Sequence, residues 1–308
     1  MGRRKKTSES LTKFMTSIIS QLKANGQHRT MLHYQAAFNS FMRFRHQLDT
    51  TFAEMDADMI KSYEAFLKNV AGVCRNTSSF YMRILRAVYN RAVEKGLAPQ
   101  QHHFKEVYMG IDKTSKRSIP AASVSHIKRL DAKLTPQQEL ARDAFLISFY
   151  LRGISFIDLA HLRKSDIRNG YLHYTRSKTG QRLSIRWEKD MQDIVDKYKE
   201  QTASSPYLFP FLVSNKGKER SEYQLYHNAE SRIAYHLKKL GAKIGLQGKL
   251  TLYVARHSWA TAARDNDIPV SVISEALGHT SETTTQIYLR SIRTDEVDDA
   301  NAKLLAAL

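Results

Sequence analysis

Residues 251–290, TLYVARHSWATAARDNDIPVSVISEALGHTSETTTQIYLR, bring an arginine (Arg256), two histidines (His257, His279) and a tyrosine (Tyr288) into one short run of helical periodicity. A phosphodiester under attack passes through a pentacoordinate species with extra negative charge on its non-bridging oxygens. A site that speeds the attack therefore needs fixed, permanently charged, forked donors aimed there, and Arg256 is of that kind. An imidazole hydrogen-bonds the same oxygens, and His279 follows Gly278, where the left-handed conformation open to glycine ends a helix. A tyrosine oxygen is a nucleophile that leaves a reversible covalent ester, splitting one hard displacement into two. Each residue alone has an ordinary reading as a solvated arginine, a core imidazole or a packed aromatic, because the chain holds 15 Tyr and 12 His. The information lies in the order Y-V-A-R-H, then L-G-H, then Q-I-Y, with nine positions from His279 to Tyr288.

That order resembles the signature of the tyrosine recombinase (phage integrase) family: H-x-x-R-H, then L-G-H, then a tyrosine nine residues on. The resemblance implies a mainly α fold with a small antiparallel β-sheet (α+β), in which a helical, SAM-like core-binding domain precedes the catalytic domain. It also implies a site-specific recombinase acting in integration, excision or inversion of mobile DNA. Tyr288 would attack the scissile phosphate to form a 3′-phosphotyrosyl bond, while Arg256 and His279 stabilise the phosphorane. No metal, nucleotide or other cofactor is implied. The partners would be double-stranded recombination sites held by a homo-tetramer.

Two positions depart from the family pattern. In R-G-I-S-F-I-D-L-A-H-L, residues 152–162, aligning G-L-R-x-x-E-L-x-x-L on Asp158 and Leu162 puts Ser155 where the first catalytic arginine stands. Arg152 is the first candidate to replace it and Arg176 the second, with Asp158 orienting an arginine. Tyr253 stands three before Arg256, where most members carry histidine. A phenol with an ordinary pKa of about 10 hydrogen-bonds a phosphate but is a poor proton acceptor near neutrality. His257 reads as support for the fold.

Upstream, Thr135-Pro136-Gln137-Gln138 reads as an N-cap, a proline at N1 and a capping-box glutamine, opening a helix that ends at Gly153. Asn169-Gly170 is a type I′ turn signal, and alternation at Leu172 and Tyr174, then at Leu183, Ile185 and Trp187, gives a small antiparallel sheet. Between the two alternating runs, Ser177-Lys178-Thr179-Gly180 forms a turn. By resemblance, Lys178 there protonates the leaving 5′ oxygen. Further helices are expected around 191–198 and 223–240, joined by a loop with Pro206 and Pro210, and 215–220 is a charged loop.

The chain has 308 residues, enough for about two domains, and carries 48 Lys+Arg against 30 Asp+Glu, a formal net charge of +18. An excess of that size marks a polyanion-binding surface. Residues 1–119 are the more basic part, with 20 basic against 9 acidic side chains. Cys74 is the only cysteine, which excludes an internal disulfide or a cysteine-rich zinc site and suits a reducing cytosol at the bacterial nucleoid. The chain shows neither an apolar run of membrane-spanning length nor an export signal, so a soluble, cytoplasmic protein is expected.

Residues 1–105 read as four amphipathic helices, the third with Lys61 and Lys68 on its polar face and the fourth starting at a Thr77 cap. On the polar face of that fourth helix Arg83, Arg86 and Arg91 alternate with Tyr81 and Tyr89, a pattern suited to phosphate contact. Residues 106–119 read as a basic linker whose Lys113, Lys116 and Arg117 suit a DNA backbone. The catalytic domain would span 120–308, with an amphipathic tail from about 291, through Val297, Leu304, Leu305 and Leu308, that docks on a neighbouring subunit. Three other classes stay open: a type IB topoisomerase-like enzyme, a non-catalytic DNA-binding relative, and a ribosome- or RNA-associated basic protein.

Overall fold

A computed structural model of the chain describes residues 9–112, 118–130, 134–213, 220–289 and 305. It falls into two compact units, residues 1–114 and 115–308.

The first unit is helical. α1 (Leu11–Ala24), α2 (His28–Phe44), α3 (Ala57–Asn69) and α4 (Arg75–Glu94) each turn an apolar face inward. Ser10 and Asp56 cap α1 and α3 by accepting the Lys13 and Met59 amides. The sequence placed the start of α4 at Thr77, but the helix begins two residues earlier, at Arg75, with Cys74 as N-cap and Thr77 inside the first turn. Tyr89 differs from expectation as well. It lies in the core rather than on the basic face, its hydroxyl donating to the Pro99 carbonyl at 2.9 Å. Phe41, Phe44, Tyr63 and Phe66 pack ring against ring between α2 and α3, and Tyr63 donates to Ser40 at 2.9 Å.

Residues 106–112, where the linker was expected to begin, are tied to this unit. Val107 is buried in its core, Ser79 donates to the Gly110 carbonyl at 2.6 Å, and Asn76 and Asp112 exchange two hydrogen bonds. Lys113, Lys116 and Arg117 lie outside the described residues, as do residues 215–219 of the charged loop and the tail from 290 apart from Leu305.

The second unit packs α5 (Ala121–Lys128), α6 (Pro136–Tyr150), α7 (Phe156–Ala160), α8 (Lys189–Asp196), α9 (Glu222–Lys243) and α10 (Leu252–Asp265) around one core. The capping box at Thr135 and Gln138, with Pro136 at N1, is present as read. The loop between α8 and α9 is itself core-forming, with Leu208, Phe209, Phe211 and Leu212 all buried. A three-stranded antiparallel sheet, β1 (Ile167–Arg168), β2 (Tyr171–Thr175) and β3 (Arg182–Arg186), lies in that order along the chain. Asn169 and Gly170 take φ of 52° and 76°, as the β1–β2 turn requires. The two-residue β1 was not anticipated, being too short to show an alternation.

α11 (Val270–Ala276) and α12 (Glu282–Leu289) pack on α10 through a separate small cluster of Ala260, Ile273, Leu277 and Leu289. Among the described residues no helix is long and apolar enough to cross a membrane.

Candidate active site

Arg256 is the centre. Thr251 caps α10 by accepting the Val254 amide, and the face that follows turns Ala255, Arg256, His257 and Ser258 inward. The Arg256 side chain is 7% exposed. Its Nη1 donates to the Gly153 carbonyl at 2.8 Å, and its Nη2 donates to the Leu277 carbonyl at 2.5 Å and approaches His279 Nε2 at 3.1 Å. The guanidinium therefore joins the turn after α6 to the end of α11. Gly153 permits this approach, because a Cβ there would lie 2.5 Å from Arg256 Cα and its φ is +74°.

The L-G-H segment ends α11 as read, with Gly278 at φ +64°. Arg176, from the β2–β3 turn, donates to the Gly278 carbonyl, and Thr179 approaches the same oxygen at 3.4 Å. Two buried guanidiniums from different elements thus hold consecutive carbonyls at the negative end of α11, and His279 sits beside both.

His279 is pushed down to about 4, first by burial and then by the charges of Arg256, Arg176 and Lys178. It is neutral at physiological pH. Arg256 can only donate, so Nε2 accepts and Nδ1 carries the proton, which goes to Thr285 Oγ1 at 2.7 Å. Thr285 lies on α12, the helix that carries Tyr288. The Tyr288 side chain lies outside the described part. Its helix is fixed by buried Thr285 and Leu289, and Arg264 donates to the Leu289 carbonyl at 3.2 Å.

Lys178 lies exposed in the β2–β3 turn, near enough for its charge to act on His279. Arg152 adopts φ +57° and is half-buried, and its charge reaches the Tyr174 phenol together with those of Arg256 and Arg176. Burial and then the Asp158 carboxylate outweigh those cations and push Tyr174 up to about 12. Tyr253 is 60% exposed, its ring edge-on to that of buried His257 with centroids 4.4 Å apart.

Among the described residues Asp158, which the sequence suggested orients an arginine, makes its hydrogen bonds to serines rather than to a guanidinium. Its Oδ2 accepts from Ser155 Oγ at 2.6 Å, and its Oδ1 accepts from the Ser177 amide at 2.9 Å and from Ser177 Oγ at 2.6 Å. Serine stands at 155, where the family pattern has its arginine, and hydroxyl and amide donors surround the carboxylate.

On α4, Arg86 and Arg91 are exposed, whereas Arg83 is half-buried and its Nε lies 3.4 Å from the Ser79 carbonyl. Lys61 is paired with Glu106. A basic face on α9 was overlooked. Arg232, Tyr235, Lys239 and Lys243 are exposed there, with the Lys239 ammonium 4.6 Å from the centre of the Tyr235 ring. Their spacing of three, four and four residues was the available signal.

Residues 10–107 match the phage integrase SAM-like domain, and residues 125–294 match the phage integrase family. The chain belongs to the phage integrase family, the tyrosine recombinases. It is 29% identical over 183 residues to the tyrosine recombinase XerA of Pyrococcus furiosus, a match spanning 58% of this chain and 59% of that protein. It is 21% identical over 302 residues to XerC of Leptospira interrogans, covering 96% of this chain and 94% of that one. Among solved structures, a lambda integrase dimer bound to a COC′ core site shares the fold with a TM-score of 0.66 at 17% identity, over 94% of this chain and 80% of that one. A lambda integrase tetramer bound to a Holliday junction gives 0.65, also at 17% identity, over 93% and 80%. Membership makes site-specific recombination by strand exchange the class of its chemistry, and neither a topoisomerase-like nor a non-catalytic reading is favoured.

Proposed function

We propose that this recombinase cuts and rejoins double-stranded DNA through a 3′-phosphotyrosyl intermediate on Tyr288. One observation carries the reading: Arg256, Arg176 and neutral His279 converge on the Leu277–His279 segment, which leads directly into the helix that bears Tyr288. Such a cluster is suited to a phosphorane, whose equatorial oxygens need donors already in place when their charge develops.

In the proposed step the Tyr288 hydroxyl gives its proton to solvent as its oxygen bonds to phosphorus, the P–O5′ bond breaks, and the departing oxygen takes its proton from Lys178. The freed 5′ hydroxyl of a partner duplex then reverses the step on the other strand. Arg256 holds the non-bridging oxygens, and His279 joins it once the phosphate replaces the Arg256–Nε2 contact and its negative charge lets Nε2 take up a proton. We assign the second guanidinium to Arg176 ahead of Arg152, because Arg176 is buried at the Gly278 carbonyl beside His279. Tyr253, largely exposed, donates a hydrogen bond to the phosphate rather than acting as a base.

The two units serve as a core-binding domain, where Arg86 and Arg91 meet phosphates, and a catalytic domain, where the basic face of α9 does the same. Lys113, Lys116 and Arg117 extend that contact, and the segment from about 291 docks on a neighbouring protomer in a tetramer. A location at the nucleoid follows from this reading. The test is incubation with a nicked suicide oligonucleotide followed by denaturing electrophoresis. A retarded, protease-sensitive band that Tyr288→Phe abolishes is expected. Its absence from the wild-type protein, despite tight DNA binding, refutes the proposal.

A further inference from the structure

The buried carboxylate of Asp158 is a charged group that the proposed step leaves without a part. It is 5% exposed, and all its described partners are neutral: Ser155 Oγ, the Ser177 amide and Ser177 Oγ. Burying a carboxylate is unfavourable unless donors surround it, and three short bonds meet that need. Two of the three come from Ser177. This residue lies in the β2–β3 turn between Arg176, whose guanidinium reaches Gly278, and Lys178.

The turn has few other ties to α7. Within itself, the Gly180 amide donates to the Arg176 carbonyl at 2.8 Å and the Arg176 amide to the Gln181 carbonyl at 2.8 Å, which close the loop without attaching it. Toward α11 it is attached by Arg176 and Thr179, the very groups that an incoming phosphate would draw away from Gly278. When those bonds are exchanged for phosphate, Asp158 remains as the anchor.

We propose that Asp158 is the positioning residue of the β2–β3 turn, holding Ser177 so that Arg176 and Lys178 keep their places while the phosphate reacts. This rests on the recombinase reading above and deepens it. Ser155 has a double part: it removes a guanidinium from the loop after α6, and it leaves the carboxylate free to hold the strand turn that brings another.

The test separates positioning from folding by the leaving group. A bridging 5′-phosphorothiolate expels a thiolate, whose conjugate acid has a pKa of about 8.5, so its departure needs no proton from Lys178. Asp158→Ala is expected to slow single-turnover cleavage of the ordinary oligonucleotide about 100-fold, the cost of a misplacement near 1 Å. At unchanged DNA affinity, at least tenfold of that loss should be recovered on the phosphorothiolate. Asp158→Asn, whose amide oxygen still accepts from Ser177, should restore most of the rate on the ordinary substrate. Should Asp158→Ala fail to fold, Ser177→Ala carries the same comparison, with a smaller loss and the same recovery. Equal losses on both substrates, or an Asp158→Asn protein as slow as Asp158→Ala, overturn the positioning role while wild-type cleavage leaves the recombinase reading standing. A wild-type protein that forms no adduct with either substrate overturns both.

Discussion

Replacing Gly153 by alanine puts the geometry of the site under a known load. The added Cβ would lie 2.5 Å from both Cα and Cγ of Arg256 and 2.6 Å from its Cβ. Relaxed carbon–carbon contacts begin near about 3.5 Å, so roughly 1 Å of separation has to be found. Because Arg256 Cα is one of the atoms struck, no rotamer change relieves the clash, and either α10 or the 152–154 turn must move. Overpacking of this kind costs about 1–3 kcal/mol, and alanine at φ +74° adds about 1–2 kcal/mol. At roughly 2–4 °C per kcal/mol for a domain of this size, the melting temperature should fall by about 4–20 °C. The catalytic loss should be larger than the loss of folded protein, since a 1 Å displacement of a positioned donor costs about 100-fold. Gly170→Ala is the control: φ there is +76° with nothing within 4 Å of the new Cβ, so it carries the backbone strain without the collision. Single-turnover adduct formation should be measured at a temperature where circular dichroism shows both variants folded. Cleavage by Gly153→Ala within threefold of wild type, or an equal loss in Gly170→Ala, would refute the claim that this glycine sets the place of Arg256.

Arg176→Ala should lower adduct formation about 100- to 1,000-fold, the range for removing one oriented donor, and Arg152→Ala less than tenfold; the reverse order would hand the role to Arg152. His279 is neutral when folded, with its pKa near 4 against an ordinary 6.5, so its contribution to stability is complete above about pH 6.5 and is lost as pH falls toward 4. The fall in melting temperature over that interval should be shallower in His279→Gln, and parallel curves would contradict the assignment. Alanine at Arg86 and Arg91 together should reduce the slope of log Kobs against log[salt] by about 1.8, if each meets one phosphate of duplex DNA. An unchanged slope would remove α4 from the interface.

The long amphipathic helices were legible because periodicity and capping agree: Thr135-Pro-Gln-Gln announced α6, and Asn169-Gly170 announced the hairpin. What failed was local. Tyr89 sits at a helical position between arginines, and its hydroxyl hides the fact that the ring is core, since its single polar need is met by the Pro99 carbonyl. Thr77 is a good cap by type, but Cys74 lies where the extended backbone ends, at φ −66° and ψ 155°. Side-chain preference ranks caps without locating them. The β1 strand spans two residues, fewer than an alternation needs to be seen.

The site divides along the same line. Arg256, His279 and the residues up to Tyr288 were readable because helix geometry and a glycine stop fix their spacing along the chain. The second guanidinium was narrowed to Arg152 and then Arg176 but not chosen between them, because it is defined by convergence in space. The Leu277 and Gly278 carbonyls are met from α10 by Arg256, which also binds the loop after α6 at Gly153, and from the β2–β3 turn by Arg176. The imidazole between them registers Arg176 from the sheet as well as Arg256 from α10 in its lowered pKa. Alignment looks for an arginine at a fixed distance along the chain, and here that position is Ser155, hydrogen-bonded to Asp158. The same carboxylate holds Ser177, the neighbour of the arginine that arrives from the sheet, so the departure at one position and its proposed replacement at the other meet at one side chain. On the proposed assignment a serine at 155 and an arginine at 176 form a linked pair. A chain with serine at 155 and no cation at 176 should bind its site with unchanged affinity and form the adduct about 100- to 1,000-fold more slowly.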